Sequence, residues 1–140
     1  MINPGGKILA SWFALLNGQI SVPVYRTDAP PDAPDKYVLL RIESSTNRDN
    51  NQSNVTYPVL ITDVVTKYDV RINDEDVFTI DSEIGTKVSS TAATHNLPVQ
   101  TGIEIVSLIR QQQTVLPEDD GARRVNRLIT RNIHRVLQTT

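Results

Sequence analysis

The 140-residue sequence predicts a single α+β domain, 1–140, in which an antiparallel β-sheet with a long hairpin is flanked by two helices. Two segments carry apolar residues at three- and four-residue spacing, which is typical of amphipathic helices. Other segments are rich in β-branched residues and alternate along the chain, which is typical of strands. A polar loop joins two of these strands and a turn-forming segment joins two others, so sequential neighbours are expected to pair antiparallel.

The first predicted helix follows Pro4-Gly5-Gly6 in the run KILASWFALLN. Its apolar face consists of Ile8, Trp12, Leu15 and Leu16, widened by Leu9 and Phe13. Gly18 is placed to end this helix. The following ISVPVY predicts a short strand, and Pro23 within it indicates a sheet edge or a bulge, because proline cannot donate to a strand ladder.

The hairpin is predicted from KYVLLRIE and VTYPVLITDVVTKYDV. The proline-rich segment 26–36 before it and the polar segment 44–54 within it predict projecting loops. We expect both loops to take part in assembly, since a loop without apolar side chains can become ordered against a partner. The candidate assembly residues are Asp28, Asp32, Asp35, Arg48 and Asp49.

The second helix is predicted near 76–89, where acidic residues crowd the first turn and favour the helix dipole. Its apolar stripe consists of Val77, Ile80, Ile84 and Val88. The segment TGIEIVSLIRQQQTVL then predicts a strand on which Ile103, Ile105, Ser107 and Ile109 alternate, and PEDDG predicts a turn.

The C-terminal segment 122–140 is rich in arginine, and its periodicity fits either a helix or a strand. The preceding strand and turn favour a returning strand. Residues 1–120 hold all 16 carboxylates and nine cationic side chains, a net charge of −7, whereas the last 20 residues have +5. The five cations of this segment are Arg123, Arg124, Arg127, Arg131 and Arg135.

Three interpretations of these arginines remain open. They can form a solvated face. They can pair with acidic loops of a neighbouring copy, because guanidinium groups match carboxylates. They can also face passing DNA, although the segment has none of the aromatic side chains that stack on bases. The acidic body argues against a general nucleic-acid binder.

No motif for catalysis stands out. The absence of cysteine removes disulfides, thiolate zinc sites and cysteine nucleophiles. His95 and His134 lie outside metal-ligand and nucleophile–base motifs, and a lone histidine is usually a surface or satisfied polar residue. NPGGK lacks the Ser/Thr of a phosphate loop, and 74–76 lack the spacing of a calcium loop. We therefore expect no catalytic residue, no metal and no cofactor.

The first apolar run covers only about ten residues before Asn17, which is short for a membrane span. It is not followed by a small-residue cleavage site, so neither a signal peptide nor a membrane partner is expected. These features predict a soluble protein made inside the cell.

The order of elements resembles that of the tail-completion or tail-terminator proteins of tailed bacteriophages, the gpU-like group. The likeness runs through Leu15-Leu16-Asn17-Gly18, the pairs Val24-Tyr25, Ala29-Pro30 and Tyr37-Val38, the strand 57–66 and the helix 77–88. The chain departs from the group where Asp35-Lys36 replaces the usual proline before Tyr37, and in its polar loop and arginine-rich end.

The resemblance implies a non-enzymatic virion protein, assembled in the host cytoplasm, that forms a homo-oligomeric ring at the head–tail junction. A hexamer is favoured, and a dodecamer is the other ring size considered. The implied partners are further copies of the chain, the tail tube, the neck or connector proteins and DNA passing through the lumen. The ring would terminate or complete the tail and join it to the neck.

Other classes of function stay open beside this one. One is a head–tail connector adaptor ring. Another is a small intracellular enzyme or ligand-binding domain, which would present a closed apolar pocket with convergent polar groups. A basic-tailed nucleic-acid adaptor is the third, and its affinity would fall steeply with salt.

Overall fold

A computed structural model describes residues 4–46, 55–69, 74–89, 95–119 and 123–139. The elements in chain order are α1 (Pro4–Leu16), β1 (Val24–Arg26), β2 (Lys36–Thr46), β3 (Val55–Tyr68), α2 (Asp74–Val88), β4 (Ile103–Asp119) and β5 (Arg124–Gln138). Two helices and a mostly antiparallel sheet confirm the predicted α+β class.

The sheet has the strand order β1-β2-β3-β5-β4. β2, β3, β5 and β4 pair antiparallel as predicted, and only the short edge strand β1 runs parallel to its neighbour β2 among the described strands. The first strand is also shorter than expected. It begins after Pro23, whose carbonyl accepts a 2.9 Å hydrogen bond from the Val38 amide, and its edge position is confirmed.

The predicted hairpin is confirmed by the pairing of β2 with β3 from Lys36↔Thr66 to Thr46↔Tyr57. A bulge at Glu43 interrupts the register between Ile42 and Ser44. β2 extends through Thr46, beyond the predicted strand end, and thus takes in the first residues of the predicted 44–54 loop. Arg48 and Asp49 lie outside the described residues.

Both helices pack on one face of the sheet, which is called the helix face below. α1 begins at Pro4, earlier than predicted, because proline is well suited to the first helical position, where no amide donor is needed. Its predicted end is confirmed by Gly18, which has φ +75°. Ile8, Trp12 and Leu16 of α1 form the main core with the predicted stripe of α2 and with Leu60, Val64, Leu128 and Val136 from the sheet.

The arginine-rich segment forms the strand β5, so the favoured prediction is confirmed. Side chains at even positions, such as Leu128, Asn132 and Val136, are buried on the helix face. The side chains at odd positions lie on the opposite side of the sheet, which we call the open face. The arginines at 127, 131 and 135 therefore share one face with Ile129 and Ile133.

β4 is longer than predicted, because Pro117, Glu118 and Asp119 still pair with β5, and the predicted PEDDG turn is wrong for these residues. Two register shifts interrupt β4, between Ile105 and Ser107 and between Gln111 and Thr114. The first one moves the following side chains to the other face. Ile105 packs against the main core, whereas Ile109 pairs with Ile133 of the open face and is 57% exposed.

Candidate assembly surface

The open face carries an array of charged pairs built on β5. Arg127 lies beside Val65 of β3, and Arg131 lies beside Ile61. Long arginine stems cover apolar surface while their guanidinium groups reach outward. This explains why Ile61 is only 5% exposed although α1 and α2 both lie on the other face.

Arg127 forms the most buried of these pairs. Its guanidinium group donates two hydrogen bonds to the carboxylate of Asp63, one of them 3.2 Å from Nε to Oδ1. The Asp63 side chain is fully buried, whereas that of Arg127 is partly exposed. Arg127 Nη1 also lies 3.6 Å from Glu118 Oε2 of β4. The hydrogen bond to Asp63 raises the pKa of Arg127, so the guanidinium group stays protonated at every physiological pH.

Arg131 forms a more exposed pair on the same face. Its Nε donates a 2.8 Å hydrogen bond to Oε2 of Glu43, the bulged residue of β2. Both side chains remain about a third or more exposed, at 33% and 43%. Pairs of this kind contribute little to stability, because water competes for both charges.

Arg123 anchors the proline-rich loop to the start of β5. Its guanidinium group binds both carboxylate oxygens of Asp35, and its Nε lies 2.8 Å from Asp69 Oδ1. The hydrogen bond from Arg123 lowers the pKa of Asp35. Ala29 and Ala33 of the same loop pack against a second apolar cluster of Tyr37, Val65 and Val125 on the open face.

The five predicted arginines therefore divide into two groups. Arg123, Arg127 and Arg131 are engaged within the chain, a role that the sequence interpretation had not weighed. Arg124 and Arg135 are exposed, and neither forms an ion pair with another described residue. Of the predicted loop residues, Asp28 and Asp32 are exposed, and Asp35 is paired with Arg123. Contact of these residues with a neighbouring subunit or with DNA stays a proposal.

A polar cluster on the helix face was missed by sequence reasoning. Arg110 of β4 donates from Nη2 to Asp81 of α2 at 2.7 Å and from Nε to Asn132 of β5 at 2.9 Å. Gln113 donates a further 2.8 Å bond to Asp81. The cluster connects α2 to β4 and β5. The only available sequence signal was an arginine inside an apolar strand, and it does not identify a partner.

His134 is buried beneath α1, which fits the expectation of a satisfied polar residue. Its Nε2 accepts a 2.8 Å hydrogen bond from the indole N–H of Trp12, so Nδ1 carries the proton and donates to the Pro58 carbonyl at 2.9 Å. Burial lowers the pKa of His134 to about 4. The side chain is therefore a neutral core residue at physiological pH.

The outer edge of the sheet at β4 carries exposed apolar side chains. Five of the six large hydrophobic residues that are exposed in the described part of the chain lie on β4 or just before it. They are Val99, Val106, Ile109, Val115 and Leu116. The sequence did not reveal this surface, because the two register shifts decide which side chains point outward.

A cavity of about 170 Å³ lies between the segment 95–100 and the start of β4. Its lining includes His95, Leu97, Val99 and Ile105. Within the described ranges, no cluster of three or more His, Asp or Glu side chains is arranged to hold a metal ion. No helix in the same ranges is long and apolar enough to cross a membrane.

Neither a protein family nor a curated protein matches the sequence. Among solved structures, a chain from the virion of a native gene transfer agent particle shares the fold, with a TM-score of 0.67 and 15% sequence identity. The match covers 93% of this chain and 96% of the other chain. At this level of identity the likeness establishes a common fold over nearly the whole length of both chains.

Proposed function

We propose that this chain is a structural virion protein of a tailed bacteriophage or a phage-like particle. In this proposal it forms a homo-oligomeric ring at the head–tail junction that terminates or completes the tail. The observation that carries the proposal is the nearly full-length match in fold to a chain of a gene transfer agent virion. The position at the head–tail junction is supported by the resemblance of the sequence to the gpU-like group alone.

The surface chemistry supports assembly rather than catalysis. Exposed apolar side chains lie along β4, and exposed charges of opposite sign lie on β5 and in the proline-rich loop. A subunit that binds copies of itself around a ring uses two different patches, and a chain with chemically distinct edges meets that requirement. The arginines of β5 and the acidic loop are the residues proposed for subunit contacts, with passing DNA as the other proposed contact of the arginines.

The first experiment measures the native mass of the purified chain by light scattering and images the same fractions in negative stain. Closed rings of about six or about twelve copies are expected. A monomer or dimer at every accessible protein concentration, with a small molecule bound in the cavity beside β4, would contradict the proposal and favour a ligand-binding domain.

The position of this chain in the particle is tested by deleting the chain from a system that produces the particles. If the ring terminates the tail, we expect free heads together with tails of irregular length. Unjoined tails of normal length would instead identify a connector adaptor ring. Intact particles in normal numbers would exclude an essential role at the junction.

A further inference from the structure

We propose that the two edges of the sheet are the two halves of the subunit contact, with the β4 edge of one copy binding the β1 edge of the next. This inference rests on the proposed ring and specifies which surfaces close it. The occupant of the β4 edge is thus a second copy of this chain.

The β4 edge has the features of a strand that pairs with another chain. β4 spans Ile103–Asp119, and it is the outermost strand of the sheet in the described part of the chain. Folded proteins usually protect such edges with short strands or outward-facing charges, because an unpaired edge promotes association. Here the exposed charges Glu104 and Glu118 lie near the two ends of the strand, whereas Ile109 and Leu116 between them are 57% and 38% exposed. The one cation of the strand, Arg110, is turned inward to Asp81.

Part of this edge is already covered. His95 Nε2 donates a 2.8 Å hydrogen bond to the Ile105 carbonyl, while its Nδ1 accepts from the Leu97 amide. The segment 95–100 therefore lies over the start of the strand and leaves the stretch from Val106 onward for a partner. The exposed Ile109 and Leu116 lie in that stretch.

The β1 edge, on the opposite side of the sheet, differs from the β4 edge in length and in charge. β1 has only three residues, Val24–Arg26, and follows directly after Pro23. Thr27 then turns the chain sharply with φ +68°, and Asp28 follows it, exposed to solvent. This edge is short and acidic at its end.

Charge complementarity favours a contact between unlike edges. On the β4 side, Arg135 of β5 is exposed and lies beside Ser107, whose small side chain leaves room toward the edge. On the β1 side, the exposed Asp28 and Asp32 lie in the loop after the strand, and the exposed cation of β1 itself, Arg26, lies over the Phe13 ring at 5.4 Å. Joining β4 to β1 brings charges of opposite sign together, whereas joining two β4 edges brings Arg135 of each copy to the same side.

A contact between these unlike edges is a head-to-tail one. Contacts of that type close into a ring when the rotation between neighbouring copies closes.

The test uses the absence of cysteine from the chain, which provides a clean background for cross-linking. Ser107→Cys on β4 and Asp28→Cys after β1 are combined in one variant and treated with a bifunctional maleimide. We expect a ladder of covalent oligomers that ends at the ring size, because each copy carries both halves of the contact. Each single variant should give no product larger than a dimer.

Two results would overturn the inference. The first is the absence of a ladder under conditions in which the double variant still forms rings, which would leave the proposed function standing and move the contact elsewhere. The second is a yield of dimers from Ser107→Cys alone that equals the yield from the double variant, which would indicate a two-fold β4 contact. A ladder from a chain that forms no stable ring would support the contact and count against the ring.

A second variant pair tests the apolar part of the edge. Ile109→Lys should raise the protein concentration at half-assembly by roughly tenfold or more, because it places a charge in a desolvated contact. Phe78→Lys is the matched control, since Phe78 is also exposed, at 46%, but lies on α2. Equal assembly of the Ile109→Lys, Phe78→Lys and wild-type chains, with circular dichroism showing all three folded, would exclude the β4 edge.

Discussion

At the scale of single residues, His134 and Asp63 are polar side chains buried in or against the sheet. Their hydrogen-bonding partners must therefore come from within the protein. His134 is neutral and hydrogen-bonded on both ring nitrogens, and the buried carboxyl group of Asp63 accepts two hydrogen bonds from the Arg127 guanidinium. A buried polar group is stable only while its partner is present and its protonation state suits the site. Both residues therefore give measurable predictions.

The pH dependence of stability should report on His134. Burial lowers its pKa from 6.5 to about 4, so the unfolded chain binds a proton over this interval and the folded chain does not. The contribution to stability is complete above pH 6.5 and is lost as the pH falls toward 4, amounting to about 2 kcal/mol between pH 7 and pH 5.

Urea unfolding of the wild type and of His134→Leu at both pH values measures this difference. The variant is less stable overall, because the Trp12 indole N–H loses its acceptor, but it should lack this part of the pH dependence. His95→Gln removes the other histidine and is the control that should keep it. Identical pH dependence of the wild type and His134→Leu would contradict the assignment.

The two arginine pairs on the open face should differ in energetic value. Arg127→Met keeps the apolar stem but leaves the Asp63 carboxylate buried without a counter-charge, and we expect a loss of about 3 kcal/mol. Arg131→Met is the matched control on the same strand and face. Its exposed partner Glu43 can be solvated, so the loss should stay below about 1 kcal/mol.

Urea unfolding of the two variants provides the comparison. The double replacement Asp63→Leu with Arg127→Met should recover most of the lost stability, because it removes the stranded charge as well. Equal losses for the two single variants would show that burial of Asp63 does not set the energy of the pair.

At the scale of elements, the sequence predicts the helices well and the ends of the strands poorly. α1 ends where Gly18 adopts φ +75°, and the Gln19 amide donates to the Leu16 carbonyl at 3.0 Å beyond the last turn. β2 and β4 both run past their predicted ends, because pairing with a neighbouring strand extends them into polar sequence. A helix is set by local contacts, whereas a strand needs its partner.

Gly18→Ala tests the helix end. No other atom lies within 4 Å of the position that a Cβ would occupy, so the cost arises only from the left-handed backbone and should be about 1 kcal/mol. Gly18→Asn should cost less, because asparagine tolerates this conformation. Thermal unfolding of the two variants measures the order, and an equal or larger loss with asparagine would contradict the backbone explanation.

At the scale of the whole molecule, the chain has chemically different edges and a face of paired charges. The exposed Arg124 and Arg135 lie on β5, next to the apolar β4 edge, and Asp28 follows β1 at the other edge. Arg127 stabilises the subunit through the buried Asp63, and Arg123 and Arg131 are engaged within the chain, so these three are poor sites at which to test assembly.

Charge reversal should therefore act through the exposed residues. Arg124→Glu with Arg135→Glu is expected to weaken assembly, and adding Asp28→Arg with Asp32→Arg should restore it, because the reversed charges again attract. Light scattering across protein concentration and salt measures both steps. Arg41→Glu, another exposed arginine on β2, is the control for a general effect of charge. If the variant Arg124→Glu with Arg135→Glu assembles as fully as the wild type, these arginines are not part of the contact.

The sequence by itself determined the class of fold, the two helices with their buried stripes, the hairpin and the separation of charge between body and tail. These follow from periodicity and composition, which are local properties of the chain. The sequence also favoured a strand for the segment that forms β5. This assignment was ambiguous only because the spacing of the same residues also fits a helix.

Only the tertiary structure decided which arginines are paired, which face each strand presents and where apolar surface remains exposed. Asp63 and Arg127 are 64 residues apart in sequence, so no local pattern predicts their contact. The register shifts in β4 reverse its faces, and β1 turns out parallel to β2. Such features depend on strand pairing between distant segments, and the physical cause of each lies in the assembled sheet rather than in any one segment.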